Sequence, residues 1–141
     1  MCKFPESDGT HLDKELRAVI DAVCEATRQC GYRPRIAVEK AYHSMLWDNV
    51  ELHLLGCKRG VAIVEDHYKP ELNPNVALEW GWMRAMGKEV LFLVEMDFKH
   101  RRADWEGFLK ADFCWSHPSR EIVDAVSTWL GAEIRERKDH G

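Results

Sequence analysis

Glu79 is the residue on which chemistry can be built. It stands in the stretch Asn73-Pro74-Asn75-Val76-Ala77-Leu78-Glu79-Trp80-Gly81-Trp82-Met83-Arg84-Ala85-Met86-Gly87-Lys88. Read as a helix running from near Asn75 to Gly87, this stretch carries two charged side chains inside, Glu79 and Arg84, with apolar residues on every other side. The spacing predicts a buried helix. Asn75 is expected to cap its first turn, Pro74 to stiffen the approach, and Gly87 to end it in a left-handed conformation. Carboxylates are seldom buried without a partner, and Arg84 lies five positions from Glu79, off the three-or-four spacing that brings side chains together. Glu79 therefore has a distant partner or a chemical role. The plainer alternative is a charge compensator near the positive end of the helix, its head in solvent.

A fixed carboxylate in a cleft suits one reaction in particular. Breaking the bond between a ribose and a good leaving group passes through an oxocarbenium-like transition state, which a negative charge on the face of the sugar stabilises. Electrostatic stabilisation, a covalent sugar ester, or a grip on the ribose hydroxyls are all open to a glutamate, and the residues alone leave the three open. Around Glu79, Trp82 is a candidate wall for a base, whereas Trp80 reads as core. Asn73 and Asn75 can offer amides to a ribose or phosphate, or serve only in turn and cap. Asp66, where a strand ends, occupies a position common for ligand contacts, or is simply a solvated strand end.

These residues need a scaffold. Thr10 with Asp13 predicts the start of a helix whose apolar face, Leu12, Leu16, Val19, Ile20, Val23, Cys24 and Thr27, runs to Gly31. A short strand is expected over 35–39, and a helix capped by Ser44 carries Leu46, Val50, Leu54 and Leu55 to about Gly56. The continuous apolar runs at 60–65 and 89–95 predict strands covered on both faces, as in a parallel sheet, with the Glu79 helix as the crossover between them. A last short strand is expected at 112–115. Pro118 opens a final helix that buries Ile122, Val126, Trp129 and Leu130 and frays from Glu133. Helices alternating with doubly covered strands specify an α/β domain of three layers, flavodoxin-like, mainly parallel, with helices on both faces and ligands at the carboxyl ends of the strands. All 141 residues fit a single domain.

The stretch from Asn73 to Val76, then Glu79, Gly81 and the Gly87-Lys88 step into an apolar strand, resembles TIR-like and nucleoside 2-deoxyribosyltransferase-like domains. The likeness is tightest over 60–95, and the order of elements agrees from Thr10 to about Leu130. The resemblance implies that Glu79 is the catalytic carboxylate acting on an N-glycosidic bond. NAD or a related nucleotide would be the substrate, with no cofactor. Deoxyribosyl or nucleoside-phosphate cleavage is the alternative within enzymes, and a non-catalytic signalling or self-association module the alternative outside them. Such domains begin with a buried strand, and here that first strand is short or missing, with Cys2 to Phe4 a stunted version at most.

Composition narrows the partners. Twenty basic against twenty-four acidic residues give a net charge of −4, against a nucleic-acid binder, and the basic run Lys99-His100-Arg101-Arg102 reads as a solvated loop. Cys2, Cys24, Cys30, Cys57 and Cys114 form no paired spacing, which fits reduced thiols in a cytoplasm. The histidines keep no metal-ligand spacing, so no metal is expected. No Gly-rich phosphate loop and no membrane-spanning run are present. With six tryptophans, several beside polar segments, some are expected at a surface shared with a second copy or a partner protein.

Overall fold

The computed structural model describes residues 10–36, 45–67, 73–99 and 107–139. Within them the order is α1 (His11–Gln29), α2 (Leu46–Gly56), β1 (Arg59–Val64), α3 (Pro74–Ala85), β2 (Glu89–Glu95), β3 (Lys110–Phe113) and α4 (Pro118–Asp139). The strands form an all-parallel sheet in the order β1-β2-β3. The chain is thus an α/β protein with a small parallel sheet among the described residues. The stretches 1–9 and 37–44, which hold the expected first strand, most of the expected 35–39 strand and the Ser44 cap, lie outside the described residues.

Alternation along the strands sorts the core into two clusters. Ile63, Leu91, Leu93 and Phe113 meet Leu16, Val19 and Ile20 of α1 and Ile122, Val126 and Leu130 of α4. Ala62, Val64, Val90, Phe92 and Val94 meet Leu54 of α2 and Val76 and Met83 of α3. Successive strand residues point to opposite faces, so an unbroken apolar run is what two covered faces require.

Local signals explain the helix starts. Thr10 Oγ1 accepts from the Asp13 amide at 3.2 Å while the Asp13 carboxylate accepts from the Thr10 amide at 2.9 Å, a reciprocal cap on α1. At α3 the cap is Asn73, not Asn75. Its side-chain oxygen accepts from the Asn75 amide at 2.9 Å, and Pro74 takes the first helical position, where its missing N–H costs nothing. Gly87, with φ 71°, ends α3, and the Lys88 amide donates back to the Met83 carbonyl at 2.9 Å.

The most consequential difference from expectation is the burial of α3. Val76 and Met83 are enclosed, but Leu78 is 53% exposed and Gly81 and Ala85 face outward beside it. Apolar letters on all sides thus conceal a one-sided helix. A Cβ built on Gly81 meets nothing within 4 Å, so this glycine does not serve a close approach. Gly81→Ala is expected to stabilise the domain by about 1 kcal/mol, through helix propensity alone. Thermal melting checks this, and a lower melting point would mean that a neighbour needs the space.

Two smaller shifts have plain causes. β3 lies two residues earlier than expected because Lys110–Phe113 is the segment that registers with β2, and the Cys114 amide is diverted to the Glu121 carboxylate at 2.6 Å, which opens α4. The α4 backbone stays helical to Asp139, past the point where fraying was expected.

Candidate functional site

Glu79 lines a cavity of about 430 Å³, bounded by α1, the segment after it, the end of α2, β1, α3 and α4. The βαβ geometry explains its height. α3 runs back along the sheet from the carboxyl ends of the strands, so a residue five positions past Pro74 has descended about 8 Å from them. Glu79 accordingly faces the cavity beside Arg59, Gly60 and Val61, at the amino-terminal half of β1, and not the crevice at the strand ends. Its carboxyl group is held above the ordinary carboxylate range by burial.

The rest of the lining is part basic and aromatic, part apolar. Arg33 and Arg35 come from the segment after α1, Lys58 and Arg59 from the entry to β1, and Trp129 from α4, over a floor that includes Ile63, Leu54 and Met83. Arg59 reaches Glu89 at 3.1 Å and lies 5.6 Å from the centre of the Trp129 ring. The Trp129 indole Nε1 is buried and finds no acceptor among the described residues. His53, also in the lining, has its Nδ1 bonded to the Asn49 carbonyl at 2.8 Å.

The other residues singled out from the sequence lie elsewhere. Asn73 and Asn75 form the α3 cap, and neither lines the cavity. Trp82 packs half-buried against the α2/α3 cluster, away from the cavity lining, because it projects from α3 toward that core. Trp80 is core, edge-on to Phe92 and Phe108 at 5.2 and 4.7 Å.

Asp66 belongs to a separate polar group at the carboxyl ends of the strands. Its amide donates to Glu95 Oε2 at 3.0 Å, and its carboxylate accepts from the Lys99 amide at 3.1 Å. Glu95 Oε1 accepts from the Trp115 indole at 2.7 Å, and His67, its ring tilted 31° to that indole at 4.9 Å, reaches Glu15 of α1 at 3.0 Å. This network ties β1, β2 and the end of β3 together. Among the described residues no group of three or more His, Cys, Asp or Glu side chains is placed to hold a metal ion.

No family model, no curated protein and no solved structure matches the chain. Its chemistry is therefore argued from the site. Of the charged and aromatic residues in the lining, the sequence singles out Glu79 alone as a candidate; Trp129 reads as core of the final helix, Arg35 as the start of a strand, and Arg33 and Arg59 are not singled out. Their one visible sign is the Arg33-Pro34-Arg35 alternation just past a helix-ending glycine. No helix of the described residues is long and apolar enough to cross a membrane.

Proposed function

We propose that the chain is a TIR-like nucleotide-binding domain of three-layer, flavodoxin-like construction, which hydrolyses the N-glycosidic bond of NAD or a related nucleotide through Glu79. The observation that carries this reading is the Glu79 carboxylate in a cavity whose other charged lining residues, among those described, are basic. The volume of about 430 Å³ suits a small organic ligand. In the step envisaged, the bond between C1′ of the ribose and the base nitrogen breaks, and its electron pair leaves with the base. The resulting oxocarbenium carbon is captured by water, which gives up a proton to complete the hydrolysis. Ionised Glu79 supplies negative charge where positive charge develops, in surroundings poorer in water than bulk solvent. The basic lining residues offset the negative charge of a phosphorylated substrate.

Incubation of the protein with NAD and a panel of nucleosides and nucleotides, with chromatographic detection of free base, tests the reading. Release of nicotinamide or another base above the no-protein control supports it, and none at any concentration of assembled protein removes it.

Self-association belongs to the same proposal. Met45, Trp47, Leu52 and Leu55 on or beside α2 are 63, 48, 45 and 54% exposed, and Leu78 adds to the apolar surface of α3. Trp115, in contrast, is already packed on Phe113 and His67 and needs no partner. Light scattering across protein concentrations is expected to show a mass above that of one chain, and Trp47→Ser to lower it. A single-chain mass throughout, with or without NAD, would count against assembly.

A further inference from the structure

We propose that Arg33 and Arg35 form a phosphate-recognition site at the mouth of the Glu79 cavity, so that the cavity takes a nucleoside 5′-phosphate or dinucleotide in preference to a free nucleoside. The proposal rests on the glycosidase reading for the identity of the ligand class.

The segment that carries the two arginines is pinned. Gly31, with φ 80°, turns the chain out of α1, and Tyr32 and Ile36 pack against the α1/α4 core. Burial alternates through Tyr32, Pro34 and Ile36, leaving Arg33 and Arg35 exposed. Pro34 between them restricts the backbone further. Two guanidinium groups are thus presented from a backbone held at both ends, which limits the ordering cost of closing them on an anion.

Their charge is uncommitted. Arg28 is paired with Glu25 and Arg59 with Glu89, whereas neither Arg33 nor Arg35 makes an ion pair or hydrogen bond among the described residues. The chain as a whole carries a net charge of −4, yet the described cavity lining holds Arg33, Arg35, Lys58 and Arg59, the last paired with Glu89, beside one carboxylate, Glu79. Composition does not produce such an excess. Segregation of positive charge around a concave site in an acidic protein favours an anionic ligand.

Chemistry narrows the anion. Guanidinium forks match the paired oxygens of a phosphate, and the buried Trp129 Nε1, without an acceptor among the described residues, adds a neutral donor in the same cavity lining. Glu79 would repel an anion placed against it, so the phosphate belongs at the arginines, and the ribose between the two.

Titration calorimetry with nicotinamide mononucleotide and nicotinamide riboside, and with 5′-AMP and adenosine, tests the site without requiring cleavage. Each phosphorylated ligand is expected to bind at least tenfold more tightly than its nucleoside, with a margin that shrinks as salt rises. Arg33→Ala/Arg35→Ala is expected to abolish the margin while leaving nucleoside affinity and the melting temperature unchanged, and the double lysine variant to restore part of it. Equal affinity for both members of each pair, a margin that survives the double alanine variant, or no binding of either phosphorylated ligand would overturn the proposal. A protein that shows the margin but releases no base keeps the phosphate site and loses the glycosidase reading. Equal rates of base release from mononucleotide and riboside, without the margin, do the reverse.

Discussion

Replacing Glu79 with glutamine is expected to lower the rate of base release about a hundredfold to a thousandfold, the usual cost of losing one preorganised electrostatic contact at a transition state. The fold should not suffer. Burial raises the Glu79 carboxyl in the folded protein, so the proton is held more tightly there than in the unfolded chain. Above the unfolded value the ionised group therefore opposes folding, and glutamine, close in volume and uncharged, removes that opposition. At neutral pH the variant should melt at the wild-type temperature or higher. The same shift places the acid limb of the wild-type rate profile above the ordinary carboxylate range, with activity rising as Glu79 ionises. A glutamine variant that released base at the wild-type rate would remove Glu79 from the chemistry.

The second large effect is expected at Lys88, through stability. Its ammonium group donates to the carbonyls of Leu54, Leu55 and Cys57 at 2.6, 2.7 and 2.7 Å, one proton for each. These carbonyls close the end of α2, where helices leave their acceptors unsatisfied and where positive charge is favoured. The entry of α2 at Met45 has no side-chain cap, so the anchoring falls on Lys88. Lys88→Met keeps the aliphatic stem and strips the three acceptors of their donor, which is expected to cost about 2–3 kcal/mol. The melting point should fall by roughly 5–10 °C. An unchanged melt would show that water replaces the ammonium without loss. The lysine after the helix-ending glycine thus has a structural reason to be there, independent of any ligand.

Much of the framework could be read in advance because its signals are local. The Thr10–Asp13 cap, the apolar runs at 60–65 and 89–95, and Gly87 each act within a few residues, so their physics is visible in a short window. Which side of α3 is covered is not local. Leu78 and Met83 carry similar hydrophobicity, yet one is exposed and the other enclosed, because only the position of α2 and the sheet distinguishes them. Of the candidate ligand-contacting residues read from the sequence, Glu79 is the one that lines the cavity. Its surroundings come from the segment after α1, from β1 and from α4, residues far apart in the chain whose convergence no spacing rule encodes. Trp82 shows the opposite failure, since closeness to Glu79 in sequence placed it near the site, whereas helical geometry turns it toward the core.

The packing of α1 on α4 also bears on how the molecule is made. Leu16, Val19 and Ile20 are synthesised well before Ile122, Val126 and Leu130, which help to cover them. Contacts this distant along the chain close slowly, because the intervening loop must first be ordered. A nascent chain therefore carries the apolar stripe of α1 only partly covered until α4 has emerged, and a version ending before Pro118 leaves it so. Translation of the stretch between α1 and α4 is thus a period of exposure to aggregation, ended by α4.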